Sequence, residues 1–122
     1  MANDPFVYDN FYKINTDDDQ VTLDLIFGGL GQSVDYVLAL DDVIKIDHSK
    51  ISIQDYTLGK GPDLAGKTLT VSGNIQDMPA TSHDITLILR IKGGATNIEQ
   101  SYAGEVSPGD NIDISLAVHF YK

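Results

Sequence analysis

Apolar and polar residues alternate with a period of two along much of the chain. The segment Val21 to Phe27 has apolar residues at every odd position, while the face between them is mostly polar. The segments Ile85 to Ile91 and Ile112 to Tyr121 repeat the pattern. Successive side chains of a β-strand point to opposite faces, so this alternation is typical of strands with one buried face. The sequence predicts three strands here.

Six further segments show a weaker form of the same alternation. They are Phe6 to Ile14, Val34 to Leu40, Val43 to Asp47, Ile51 to Leu58, Thr68 to Ile75 and Asn97 to Ala103. Turn-forming residues separate them, as in Pro108-Gly109, where proline fixes φ and glycine allows the positive φ of a type II turn. About nine short strands between turns predict an all-β fold, an antiparallel two-sheet β-sandwich of about 8–9 strands with little or no helix.

Length and composition indicate one globular domain covering residues 1–122. A chain of 122 residues, 42% of them hydrophobic, can bury a core without disulfides or metals. No apolar run approaches the roughly 20 residues that span a bilayer, and we recognise no signal peptide at the N-terminus. Membrane insertion is therefore not predicted, and the compartment is left unknown.

Acidic residues outnumber basic ones and give the chain a formal net charge of -10. This charge repels phosphate backbones and anionic lipid headgroups, so we do not expect a nucleic acid partner. Of the 18 acidic residues only Glu99 and Glu105 are glutamates. The preference for aspartate, which favours turns over helices, agrees with an all-β fold.

The stretch Gly61 to Thr68, GPDLAGKT, matches the phosphate-binding pattern G-x-x-x-x-G-K-[ST]. Such a loop needs a helix that begins at its Lys-Thr end, because the helix N-terminus holds the anion. Here the next residues alternate like a strand, and Asp63 places a carboxylate where phosphate would lie. We therefore interpret the stretch as a connection between strands and predict no nucleotide binding.

Several predicted turns contain aspartate. If each connection reverses the chain direction, alternate loops gather at one end of the domain, together with Asn97. Convergent oxygen ligands on loops are what calcium requires. The same residues also suit turns that bind nothing, and both readings are open. The candidate calcium ligands are Asp17, Asp19, Asp41, Asp42 and Asp63.

Four aromatic residues fall within seven positions near the N-terminus: Phe6, Tyr8, Phe11 and Tyr12. Such rings commonly cover the core of a sheet. Exposed on a sheet face, they could instead contact a protein partner or stack on a sugar. These residues are therefore candidate contacts for a partner or a carbohydrate.

No arrangement typical of a catalytic site is apparent. The chain has no cysteine, and His48, His83 and His119 are widely separated. We therefore predict a non-catalytic β-sandwich module without a cofactor, acting through a protein partner or self-association, or as a structural component. Its first and last strands are the expected sheet edges. The alternative is a calcium-dependent or carbohydrate-binding module, lectin-like or C2-like, with calcium as its cofactor.

Overall fold

The computed structural model describes residues 5–15, 19–28, 32–77, 83–106 and 111–122, which contain nine strands and one short helix. In chain order the elements are β1 (Phe6–Lys13), β2 (Gln20–Gly28), β3 (Gln32–Leu40), β4 (Val43–Ser49), β5 (Ile53–Lys60), α1 (Gly61–Leu64), β6 (Thr68–Asp77), β7 (His83–Lys92), β8 (Ile98–Val106) and β9 (Asn111–Tyr121). Every predicted strand is present, with ends shifted by a few residues.

The strands form two sheets, which we call sheet A and sheet B. Sheet A has the order β1-β9-β6-β3-β4, and sheet B has the order β5-β2-β7-β8. The pairs β3-β4 and β7-β8 are hairpins within one sheet, whereas the remaining sequential connections cross between sheets. The predicted two-sheet β-sandwich is confirmed. All pairs are antiparallel except β1 with β9, which is parallel.

The core lies between the two sheets and follows the period-two pattern. Along β9 the even positions from Ile112 to Phe120 are buried, and the odd positions from Asn111 to Ser115 are exposed. In β2 the odd positions Val21, Leu23 and Leu25 are fully buried. These strands therefore each contribute one apolar face to the core, as the alternation predicts.

The last strand does not lie at a sheet edge, contrary to the expectation from the sequence. β9 is between β1 and β6, with an unbroken parallel register to β1 from Phe6↔Ile114 to Lys13↔Tyr121. The first and last strands thus pair with each other, and β1 covers the edge that β9 would otherwise present. The edge strands are β1 and β4 in sheet A, and β5 and β8 in sheet B.

The GPDLAGKT stretch connects sheet B to sheet A. It begins with α1, a single helical turn, and β6 starts at Thr68, where a phosphate-binding loop would start its helix. The N–H of Gly66 donates to the carbonyl of Phe120 at 2.9 Å, and the N–H of Lys67 donates to the carbonyl of Leu64 at 2.9 Å.

The described part of the chain contains no helix that is long and apolar enough to cross a membrane.

Three tyrosine hydroxyls join segments that are distant in sequence. Each donates a hydrogen bond to a backbone carbonyl oxygen of another segment. The pairs are Tyr12 with Thr96 at 2.5 Å, Tyr36 with Ile51 at 2.7 Å and Tyr102 with Val7 at 2.8 Å. Because each ring also packs into or against the core, these residues anchor the adjacent loop or edge to the sandwich.

Candidate functional site

Four connections meet at one end of the sandwich: β1-β2, β3-β4, β5-β6 and β7-β8. Backbone hydrogen bonds link them, from Gly61 N–H to the Asp19 carbonyl at 3.1 Å and from Ala95 N–H to the Lys13 carbonyl at 3.0 Å. At the same end Asp41 N–H donates to the Thr68 carbonyl at 2.9 Å. The expected gathering of alternate loops is therefore present in the described residues.

The aspartates at this end have separate positions. Asp41 and Asp42 form the β3-β4 turn with φ values of 52° and 69°, and Asp63 is exposed in α1. Asp19 directly precedes β2, and Asp17 lies outside the described residues. Among the residues that the structure describes, no group of three or more His, Cys, Asp or Glu side chains could hold a metal ion. The calcium site stays a prediction.

The four N-terminal aromatic residues divide between the two faces of β1. Phe6 and Tyr12 are buried in the core, and Tyr8 packs against it. Phe11 points the other way and is 68% exposed. Of the four, Phe11 is the most exposed, because the side chains of residues 6, 8 and 12 point to one face of the strand and that of residue 11 points to the other.

Phe11 is part of a cluster on the outer face of sheet A that the sequence does not reveal. Its ring centroid is 5.0 Å from that of His119 and 6.2 Å from that of Tyr121, which meets it edge-on. The parallel register places Phe11 directly opposite His119. We call Phe11, His119 and Tyr121 the outer aromatic cluster. Tyr121 is 45% exposed, so two of its three rings are accessible to a partner.

The imidazole of His119 is held by hydrogen bonds on both sides. Its Nε2 lies 2.7 Å from Asp9 Oδ1, and its Nδ1 lies 3.1 Å from Thr68 Oγ1. Asp9 is on β1 and Thr68 is on β6, so the ring is fixed across three neighbouring strands. Fixing His119 also fixes the surface on which Phe11 packs.

A second polar arrangement, also not predicted, lies on the outer face of sheet B. Among the residues that the structure describes, Asp24 is the one charged residue that is buried, with 3% of its surface exposed. Its carboxylate accepts a hydrogen bond from Asp55 N–H at 2.7 Å and lies 3.6 Å from Lys92 Nζ. Arg90 lies between Asp24 and Glu99, close enough to both for ion pairing. These contacts lie within the protein and join β5, β2, β7 and β8.

Of the other two histidines, only His48 has a side chain that the structure describes. His48 is exposed on β4, with Nδ1 3.0 Å from Asp35 Oδ1 and Nε2 3.6 Å from Asp47 Oδ1. The side chains of His83 and Asp84 lie outside the described part of the structure.

Comparison with models of protein families, with curated proteins and with solved structures finds no match to the chain.

Proposed function

We propose that the protein is a non-catalytic interaction module that binds a protein partner through the outer aromatic cluster. The observation that carries the proposal is the Phe11 ring, which is 68% exposed and supported from below by a fixed histidine. Aromatic side chains held in one orientation lose little entropy on binding and are enriched among residues that dominate interface energies. Phe11 is the expected anchor.

The surroundings of the cluster suit a protein contact. Val7 is also exposed and lies on the same face of β1, since side chains an even number of positions apart in a strand point to the same face. Asp9 lies between them and is largely exposed, so it can contribute to a polar rim. An apolar centre with polar groups beside it is the usual arrangement of a protein interface.

A photo-crosslinking phenylalanine analogue at position 11 tests the proposal in an extract of the native cell, with identification of the crosslinked protein. The control places the analogue at Thr86, an exposed position of β7 in the other sheet. We expect one protein to crosslink from position 11 and not from position 86. Identical products from both positions would mean that the ring does not select its contacts.

The purified partner then allows a quantitative test by calorimetry. Truncating a central aromatic anchor removes about 2 kcal/mol or more of binding free energy, so Phe11→Ala should weaken binding at least about 30-fold. Ile51→Ala is the matched control, because Ile51 is equally exposed and lies in the β4-β5 connection. Equal effects of the two substitutions would contradict the proposal.

The second candidate function is carbohydrate binding by the same rings. Phe11 and Tyr121 could each stack on a sugar face, with Asp9 available to accept hydrogen bonds. A glycan array with the wild type and Phe11→Ala separates this from protein binding. A sugar that binds the wild type and not the variant would favour the carbohydrate function.

The calcium alternative rests on the aspartate-bearing loops at the end of the sandwich where the four connections meet. A thermal melt with calcium, magnesium or a chelator tests it, because a ligand that binds only the folded state raises Tm. A rise specific to calcium that Asp19→Asn removes would support this alternative over the aromatic contact.

A further inference from the structure

A strand at a sheet edge presents unpaired N–H and C=O groups to which another chain can add a strand. The sandwich has four edges, and they differ in how well they are protected. Natural β proteins block such edges with bulges, charges or capping hydrogen bonds. An edge whose central residues lack these features is the one that a partner strand can use.

The β1 edge is partly occupied by hydrogen bonds within the chain. The Val7 carbonyl accepts from the Tyr102 hydroxyl at 2.8 Å. The Phe11 N–H donates to its neighbour Asn10 Oδ1 at 2.9 Å. An incoming strand would have to displace these bonds. β1 therefore offers its side chains to a partner and not its backbone.

The β4 and β5 edges are irregular. The register of β4 with β3 shifts twice, and His48 in β4 has a φ of 54°. The register of β5 with β2 also shifts twice, and Asp55 in β5 has a φ of 53°. Bulges twist an edge and interrupt its row of hydrogen-bonding groups. Neither strand offers a continuous template.

The β8 edge is regular along its whole length. Its pairing with β7 runs without a shift from His83↔Val106 to Ile91↔Ile98. The central residues Gln100 to Gly104 carry no charge. Within the described residues, no hydrogen bond reaches the backbone groups on the outer side of this strand. β8 is therefore the edge most open to strand addition.

Charge identifies the kind of strand that fits. The charged residues of β8 are Glu99, which pairs with Arg90 of β7, and Glu105, six positions apart, in a protein of net charge -10. A carboxylate can accept hydrogen bonds from more than one donor, so Glu99 can also pair with a basic residue of an added strand. A second copy pairing antiparallel about Tyr102 would put Glu99 opposite Glu105 of the other chain, and like charges directly opposite each other destabilise a sheet. A segment with basic residues at the matching positions would form favourable pairs.

We propose that β8 accepts an extended segment of another protein, with basic residues six positions apart, as a fifth strand of sheet B. The backbone hydrogen bonds supply the affinity, and the two acidic positions of β8 set the register and select a basic partner. This contact uses a different sheet from the outer aromatic cluster and does not depend on it.

Synthetic peptides test the proposal with the full chain, isotopically labelled for NMR. The probe has the length of β8, nine residues, with alternating valine and threonine and lysine at its second and eighth positions. One control peptide has glutamate in place of both lysines. The other keeps the lysines and carries N-methyl groups on all its peptide bonds, which removes the N–H donors from both edges of the strand.

We expect the lysine peptide to shift the amide resonances of β8 and to slow their hydrogen exchange. The glutamate peptide should bind about tenfold more weakly, and the N-methylated peptide should not bind, because it cannot form the ladder. Glu105→Gln should weaken the binding of the lysine peptide by a few-fold while leaving the protein folded.

Four results would overturn the proposal. Shifts centred on β4 or β5 would move the contact to another edge. Equal binding of the N-methylated peptide would show that charge alone attracts it, and equal binding of the glutamate peptide would contradict a basic partner. No change in β8 at about 1 mM peptide, near the weak limit for specific contacts, would exclude strand addition by such segments.

Discussion

The carboxylate of Asp24 accepts a hydrogen bond of 2.7 Å from the backbone N–H of Asp55. Asp55 belongs to an irregular part of β5, where the register with β2 shifts between Leu23 and Leu25. A bulge leaves a backbone group outside the ladder, and here the carboxylate accepts from it. The same carboxylate lies near Lys92, so one buried side chain supports both the edge strand and the ion pairs above it.

Asp24→Ala should lower the free energy of unfolding by about 2 kcal/mol, because the partly buried Asp55 N–H loses its acceptor. Lys92 and Arg90 are partly exposed and can turn to water, which limits the loss. Urea unfolding measures the change. The control is Asp113→Ala on the exposed face of β9, expected to cost less than about 0.5 kcal/mol. Equal losses at both sites would contradict a special role for Asp24.

The buried tyrosines predict a loss of stability at alkaline pH. Burial raises the pKa of Tyr12 and of Tyr36 above the ordinary value of 10.0, and hydrogen bonds with Gly94 and Ser49 oppose the shift only in part. In the window above pH 10 the native state holds phenol protons that the unfolded state releases. The contribution of these two tyrosines to the free energy of unfolding is therefore fully present below pH 10 and is lost as pH rises through that window.

Denaturant unfolding at a series of pH values checks this dependence. Tyr12→Phe and Tyr36→Phe remove the titrating phenols, so each variant should lose less stability between neutral and alkaline pH than the wild type. At neutral pH each should cost about 1 kcal/mol, since a hydrogen bond to Thr96 or Ile51 is lost. Tyr121→Phe changes an exposed ring and serves as the control. An unchanged pH slope in both core variants would show that other groups cause the alkaline loss.

The β3-β4 turn predicts a stabilising substitution. Asp41 and Asp42 both have positive φ, which a two-residue type I′ turn requires and which glycine adopts more readily than aspartate. Asp42→Gly should raise the free energy of unfolding by about 0.5–1 kcal/mol, because it removes the backbone strain of that position. We leave Asp41 intact, since its Oδ1 lies 3.4 Å from Thr68 N and can accept from it.

The matched control is Asp113→Gly, which puts glycine in the interior of β9. There the same chemical change should cost about 0.5–1 kcal/mol, because glycine weakens a strand. Thermal or urea unfolding of both variants gives the comparison. Destabilisation by Asp42→Gly would mean that its carboxylate has a role beyond forming the turn.

Most of the fold could be predicted because alternation is a local property. Even short, mixed segments such as β4 and β8 were recognisable from apolar positions between turn residues. The single turn of α1 was not, since a helix of four residues has no period to detect. The parallel pairing of β1 with β9 was not predictable either. It joins the first and last strands, and neither sequence contains a turn or other signal that sets the register between them.

The candidate site could be predicted only in part from the sequence. Strand parity separates Phe11 from Tyr8 and Tyr12, so its exposure could have been inferred once β1 was assigned. The contacts of Phe11 with His119 and Tyr121 could not be inferred, because they depend on the parallel register of β1 with β9. The burial of Asp24 was hidden as well, since it occupies a polar position of β2 and is covered by side chains from other strands.

The GPDLAGKT loop predicts the absence of a nucleotide effect. A phosphate-binding loop points free N–H groups at the anion, but here Gly61, Gly66 and Lys67 donate theirs to backbone carbonyls. Thr68 N lies within hydrogen-bonding distance of Asp41 Oδ1, and Thr68 begins a strand where a phosphate-binding loop would begin its helix. We expect ATP with magnesium, at about 5 mM, to leave Tm unchanged, because a ligand without affinity for the folded state cannot stabilise it. Lys67→Ala should behave identically. A rise in Tm that Lys67→Ala abolishes would contradict this expectation. It would show that the loop binds phosphate and that its backbone hydrogen bonds break when it does so.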